Sequence, residues 1–272
     1  HSFPTRRSSD LILLAVCAVF AFPVVWLVMA SFSKSGSIYD LNGFFPGSYS
    51  LRGYQELFTD TTMYDYPNWL KNTFFVASTS AVIGTVLVIL TAYVVSKFEF
   101  KMRKPLMKTT LVLSMFPSFM GMTAVYLLMT QFGLINRLTG LILIYAAGAP
   151  MGYLTQKGFF DTIPKAIDEA AKIDGATNMQ VFLKINLPLS RPIIVYTALT
   201  SFTWPWSDFI LPKLLLKEKD LYTVAVGLMS LDETEFARFA AGSVFIAVPI
   251  VLLYFCLVKD MVDGMASGAV KG

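Results

Sequence analysis

Six runs of about 20 residues that are almost free of charge constrain this chain more than any other feature: Leu11 to Phe32, Asn72 to Ser96, Thr109 to Gln131, Leu138 to Gln156, Pro192 to Pro212 and Phe239 to Val258. A helix needs about 20 apolar residues to cross about 30 Å of hydrocarbon. Inside lipid each backbone N–H and C=O must be satisfied within the protein, so runs of this length point to α-helices. Only 15% of the residues are charged, against about 25% in an ordinary soluble domain. The fold class expected is therefore all-α: a polytopic membrane protein with six transmembrane helices and both ends on one side.

Charge assigns that side. Lys97, Lys101, Arg103, Lys104 and Lys108 crowd the second connection, and Lys157, Lys165, Lys172, Lys184 and Arg191 the fourth. Basic residues on the opposite side are fewer and spread over longer loops. By the positive-inside rule the second and fourth connections and both termini face the cytoplasm of a cell (inner or plasma) membrane. The first ten residues are set aside. His1 to Asp10 resembles the translation of a sequencing-library adapter, so residues 1–10 are expected to be non-native; the alternative is a native basic flank.

Several runs carry helix breakers: Pro117 and Gly121 in the third, Gly148, Pro150 and Gly152 in the fourth, and Pro205 in the fifth. Backbone freed by such breaks must meet a neighbouring helix or a watery cavity, so they mark tight packing or a pathway. Met115, Met120, Met122 and Met129 read as soft packing. The connection from Ser33 to Lys71 has no clear periodicity and reads as a compact extracytoplasmic loop, with Tyr66 and Trp69 as interfacial anchors. Around Trp204, Trp206 and Asp208 the fifth run joins aromatic faces to a carboxylate. Sugars pack C–H faces on rings while their hydroxyls need polar partners, which makes these three candidates for a translocation path. An interfacial aromatic belt explains them equally well.

The longest polar island, Ile163 to Pro192, carries helical signals throughout. Thr162 is expected to cap a first helix with Pro164 in its first turn, and Gly175 to stop it in a left-handed conformation. Thr177 and Gln180 form a capping box for a second helix that should end before Pro188. Ile167, Ala170, Ala171 and Asp174 share one side of the first helix, with an i,i+4 pair expected from Asp168 to Lys172. Val181, Phe182 and Ile185 stripe the second. The pattern is a helical hairpin; periodicity alone fits one that packs on a membrane surface.

The spacing of Glu169-Ala170-Ala171, Gly175 and Ile185-x-Leu187-Pro188 resembles the coupling motif of membrane subunits of ATP-binding-cassette (ABC) importers. The resemblance implies a type I ABC importer permease fold whose cytoplasmic hairpin inserts into a groove of an ATPase dimer. Glu169 and Asp174 would make polar contacts there, Ala170 and Ala171 would allow close approach, Gly175 would set the turn, and Ile185 and Pro188 complete the motif. Tyr66 to Thr73, Phe202 to Phe209 and Tyr222 to Leu228 are similar to carbohydrate permeases, specifically the second membrane subunit of maltose, maltodextrin and galactan-oligosaccharide importers. By that likeness residues 11–67 hold the first span and an extracytoplasmic loop, 68–260 the permease core and 261–272 a cytoplasmic tail lying against the ATPase. The implied partners are the ATPase dimer, a companion permease, an extracytoplasmic sugar-binding protein and lipid. That binding protein would touch the charged loop between Lys213 and Phe236.

No Gly-x-x-x-x-Gly-Lys-Ser/Thr phosphate loop is present, so ATP and Mg are expected on the partner ATPase and no cofactor in this chain. His1 is the only histidine, and Cys17 and Cys256 sit in apolar runs. No metal site, catalytic residue or enzyme activity is expected, and basic residues at membrane edges argue against nucleic-acid binding. The competing readings are a permease for another polar solute such as glycerol phosphate, which would favour basic residues in the spans, and an ion-coupled secondary transporter. The latter would need intramembrane ionisable groups, and only Asp208 qualifies.

Overall fold

The computed structural model describes residues 6–34, 36–37 and 45–269. Among these residues fourteen α-helices follow in chain order: α1 (Arg6–Ser31), α2 (Arg52–Thr59), α3 (Tyr66–Lys97), α4 (Arg103–Ser114), α5 (Met122–Gln131), α6 (Leu138–Gly148), α7 (Tyr153–Asp161), α8 (Lys165–Ile173), α9 (Asn178–Val181), α10 (Leu187–Leu189), α11 (Arg191–Ser207), α12 (Ile210–Leu215), α13 (Val224–Leu228) and α14 (Phe236–Ala269). Among the described residues there is no strand, only an isolated bridge between Ser33 and Tyr49. The expected all-α class is what the chain adopts. Two compact units divide it, one of residues 1–70 and 224–249, the other of residues 71–223 and 250–272.

Among the described residues four helical stretches are long and apolar enough to cross a membrane: Asp10–Ser31, Tyr66–Lys97, Leu138–Asp161 and Glu233–Val258. The third run is not a straight span. Arg103–Ser114 and Phe119–Gln131 meet at 91°, because Pro117 sits at ψ 127° and cannot continue a helix. In the fourth run a 3-10 turn, Ala149–Gly152, joins α6 to α7. Pro205, expected to interrupt the fifth run, lies inside the 17-residue α11, and the break comes instead at Asp208, whose ψ is 130°. A proline in the last turn removes only one hydrogen bond, so the helix survives it. At 17 residues α11 is about 26 Å long. The six runs read from sequence are thus four long apolar helices, one bent pair and the 17-residue α11.

In the first unit, residues 45–65 of the connection after α1 are tied to α14, while residues 35 and 38–44 of that connection lie outside the described residues. Arg238, buried at the start of α14, reaches Glu56 of α2 at 3.3 Å, Asp60 at 3.1 Å and Glu235 at 3.3 Å, with its guanidinium over the Tyr64 ring. Tyr66 and Trp69 are not interfacial anchors. Both are fully buried: the Tyr66 hydroxyl donates to the Gly242 carbonyl at 2.9 Å, and the Trp69 ring lies where a Cβ on Gly227 would stand. A tryptophan against a glycine backbone packs too closely to leave a face for lipid.

The second unit has two apolar cores. One gathers Val76 of α3, Met129 of α5, Leu141 and Ile142 of α6, and Leu211 and Leu215 of α12. The other joins Val88, Ala92 and Tyr93 of α3 to Tyr153 and Phe160 of α7, and to Phe182. Of the four methionines read as packing, Met129 is buried, whereas Met115 and Met120 are exposed. α14 runs on to Ala269, so most of the expected tail is helical backbone. Residues 270–272 and 1–5 lie outside the described residues, and with them part of the tail and of the adapter-like segment.

Candidate functional site: an exposed hairpin beneath a hydroxyl-lined cavity

α8 ends as its sequence dictates. Gly175 takes φ +85°, the Ala176 N–H donates to the Ala171 carbonyl at 2.9 Å and the Gly175 N–H to the Lys172 carbonyl at 3.0 Å. These are the two bonds of a Schellman motif. A Cβ on Gly175 would meet nothing within 4 Å, so glycine is required here by conformation rather than by space. Two residues on, the Gln180 N–H donates to Thr177 Oγ1 and the Thr177 N–H to Gln180 Oε1, closing the expected capping box.

Elsewhere the hairpin departs from expectation. Thr162 caps no first helix. It ends α7, its hydroxyl donating to the Phe159 carbonyl at 2.7 Å, and Pro164 takes the N-cap position of α8. The second helix does not stop before Pro188. Phe182–Asn186 forms a π-turn, with the Leu187 N–H bonded to the Phe182 carbonyl five residues back, and Pro188 continues into α10. The wider turn relieves the contact a proline ring makes with the carbonyl four residues earlier.

Asp168 also does not pair with Lys172. It is 9% exposed, with Oδ2 3.0 Å from Lys97 Nζ at the end of α3 and Oδ1 accepting from Asn186 Nδ2 at 2.7 Å. Lys97 further donates to the Ile163 carbonyl at 3.0 Å. An isolated helix would favour the i,i+4 pair; tertiary burial favours a partner that also satisfies Asn186, which is itself 0% exposed. Below this network Phe182 packs on Tyr93 of α3 with ring centroids 4.5 Å apart.

With its base so held, the hairpin tip faces outward. Glu169, Ala170, Asp174 and Gly175 are exposed, Ala171 and Ile185 are half-buried, and Pro188 is exposed. Ile167, which shares a side with Ala170 and Asp174, is exposed as well, so the expected apolar side of α8 points away from the protein. Ile173, Met179 and Leu183 add apolar surface, Ile173 at 86% exposure. Exposed apolar residues gathered on one tip mark a contact surface.

Above the hairpin, within the same unit, α3, α5, α6, α7 and α11 line a cavity of about 820 Å³. Its wall carries hydroxyls and amides such as Ser80, Gln156, Tyr196 and Thr200, with the aromatic face of Trp204. Among the described residues no lysine or arginine lines it and Asp208 is its one carboxylate; Asp208 Oδ2 accepts from the Tyr145 hydroxyl at 2.8 Å and Oδ1 from the Ile210 N–H at 2.9 Å. Gln156 Nε2 donates to Thr197 Oγ1 at 3.0 Å, tying α7 to α11. The three residues singled out from sequence therefore part company. Trp204, 68% exposed, and Asp208 line the cavity, while Trp206 is 2% exposed and stacks on Phe202 at 5.1 Å. One turn of helix separates positions 204 and 208, whereas 206 lies on the opposite side.

Sequence reading missed Lys97, Asn186, Tyr145 and Gln156. Lys97 ends an apolar run, where a positive charge is ordinarily an edge marker, and Asn186 is betrayed only by its place among Ile185, Leu187 and Leu189.

The pattern has known counterparts. The family described as binding-protein-dependent transport system inner membrane component matches residues 84–264. The galactooligosaccharides transport system permease protein GanQ of Bacillus subtilis (strain 168) is 34% identical, covering 97% of this chain and 95% of its own length. The maltodextrin transport system permease protein MdxG of the same organism is 35% identical, with 96% and 95% covered. Among solved structures, a chain of a bacterial ABC transporter involved in the import of the acidic polysaccharide alginate has a TM-score of 0.79 at 19% identity, covering 95% of this chain and 99% of that one. With the motif spacing, the hairpin and a family match across most of the length, this chain belongs to the inner membrane components of binding-protein-dependent transport systems.

Proposed function

We propose that this chain is one of two membrane subunits of an ATP-driven importer that passes neutral oligosaccharides, delivered by an extracytoplasmic binding protein, across the cell membrane. What carries the reading is a shared framework: of the helices that line the cavity, α3 holds the hairpin through Lys97, and α7 and α11 run directly into its two arms. The hairpin at Glu169 to Pro188 is the docking element for a partner ATPase that holds ATP and Mg; the subunit itself has no ATPase site. ATP-driven closure of that partner moves the hairpin, and with it the two walls, between inward- and outward-facing arrangements. The connections rich in lysine and arginine, and with them both termini, face the ATPase in the cytoplasm.

Cargo chemistry is read from the wall. An anion would leave its charge unpaired where no basic residue lines the cavity. A polyhydroxylated neutral solute meets hydroxyls, an amide and the Trp204 ring. Relatives named for galactooligosaccharide and maltodextrin transport at 34–35% identity support the same class.

The test is reconstitution with companion permease, ATPase and binding protein in proteoliposomes. Uptake and ATP hydrolysis would be followed with maltodextrins, galacto-oligosaccharides and an alginate oligosaccharide in turn. Stimulation by one of the neutral classes is expected. Stimulation by alginate alone, or by none of the three in a complex that hydrolyses ATP, would reject the cargo assignment.

A further inference from the structure

Resting on the hairpin's role as docking element, we infer that Lys97, Asp168 and Asn186 form a polar clamp that fastens the hairpin to α3, so that hairpin and cavity wall move as one body. Three elements meet in it: the last turn of α3, the first turn of α8 and the end of the π-turn. Both oxygens of Asp168 are used, one by Lys97 from α3 and one by Asn186 from the second arm of the hairpin. Lys97 closes the set by reaching the Ile163 carbonyl, which enters α8. The ion pair is screened from water, its side chains 6% and 12% exposed, so salt weakens it little.

The clamp would do nothing mechanical if α3 were compliant. It is a single 32-residue helix with no proline after its first turn. Ser80 and Val88 in its middle line the cavity, about two and a half to five turns from Lys97 at its end. The other arm of the hairpin leads through α10 and Ser190 into α11, which supplies Tyr196, Thr200 and Trp204 to the opposite part of the lining. One hairpin therefore grips one wall by the clamp and the other by the chain itself. Lys97, Asp168 and Asn186 are positioning residues: they touch neither cargo nor nucleotide.

The experiment uses the full complex in proteoliposomes and reads solute imported per ATP hydrolysed. In Lys97→Met/Asp168→Asn the residue at 168 keeps an oxygen for Asn186 while no charge is left unpaired, so the fold and ATPase binding are retained. Coupling is expected to fall by about five-fold or more, with hydrolysis continuing, and Lys97→Arg alone is expected to keep it. Wild-type coupling in the double variant would overturn the clamp. A second measurement does not depend on that variant: Lys97→Cys/Asp168→Cys, with Cys17 and Cys256 changed to serine, bridged by a short thiol cross-linker. If the two elements move as one body, the bridged protein still imports solute. Import that stops on bridging and returns on cleavage would refute the inference. Co-purification of the ATPase separates this from the docking role itself: loss of clamp function with the ATPase bound leaves docking intact, whereas an ATPase that never binds the hairpin rejects docking and not the clamp.

Discussion

Gly175→Val isolates the turn of the hairpin from everything else in it. At φ +85° a residue with a Cβ costs about 1–2 kcal/mol in the left-handed region, and β-branching adds to that. The Cβ itself meets no atom within 4 Å, so the cost of adding it is conformational. The base of the hairpin stays fixed by Phe182 on Tyr93 and by Asp168 with Lys97, so the strain is relieved at the tip, by opening the two Schellman bonds. A penalty of about 1.4 kcal/mol lowers the population of the native turn tenfold relative to its open forms. The variant should insert and fold, bind the ATPase more weakly, and import at least several-fold less solute per ATP. Gly175→Asn supplies the control, because asparagine enters the left-handed region far more readily than valine; its coupling should lie near wild type. The assay is the ratio of uptake to hydrolysis in proteoliposomes, alongside ATPase co-purification. Full coupling in Gly175→Val, or equal loss in valine and asparagine variants, would refute the conformational account.

Other changes probe other parts. Asp208→Asn should reduce uptake of neutral oligosaccharide while leaving ATPase binding unchanged, because a charge-assisted bond from Tyr145 worth about 1.5–3 kcal/mol is weakened in the cavity and not at the hairpin; uptake at several solute concentrations checks it. Gly227→Leu should lower thermal stability in detergent by about 1–3 kcal/mol, since its Cβ would stand 2.1 Å from the Trp69 ring. Asp60, hydrogen-bonded by Thr62 and then by Arg238, is held below the usual carboxylate range. A depressed folded-state pKa gives stability that is present above the unfolded value and lost as pH falls through the folded one. Melting curves between neutral pH and pH 3 should therefore lose part of their acid sensitivity in Asp60→Asn.

How much of the site was legible depended on whether its cause was local. Gly175 and the Thr177–Gln180 box could be read because each is decided within four residues by backbone conformation and capping bonds, which neighbours barely alter. Asp168 was misread for the opposite reason: the i,i+4 partner Lys172 is visible in sequence, while Lys97 lies far away in the chain and wins through burial. Pro188 reads as a stop because the residue before a proline is pushed out of the α region; the π-turn before it leaves no sequence mark. Tyr66 and Trp69 looked like interfacial anchors by residue type, yet their packing is set by glycines at 242 and 227 that no spacing rule connects to them. For Trp204 and Trp206 aromatic character is plain in the sequence, whereas the two-residue spacing that puts them on opposite sides of α11 matters only once a helix is in place.

The cavity's walls differ in stiffness, and that difference says which of them a moving hairpin can drive. α3 is continuous from Tyr66 to Lys97 and is gripped at its end. The α4–α5 wall turns through 91°, and the α6–α7 wall passes through a 3-10 turn whose hydrogen-bond geometry is poorer than that of the α-helix on either side. A displacement applied at the hairpin is carried along the continuous helix and absorbed at the breaks, because bending an intact helix strains many hydrogen bonds whereas a break has few to strain. Pro117, Pro150 and their neighbouring glycines, which in sequence mark tight packing or a pathway, take one physical role under the proposed motion. On that motion they let α5 and α6 stay in place while α3, α11 and α7 move, α7 running into the hairpin after Asp161 and being tied to α11 by Gln156. The cavity lined by Tyr145, Trp204 and Asp208 lies between the two sets.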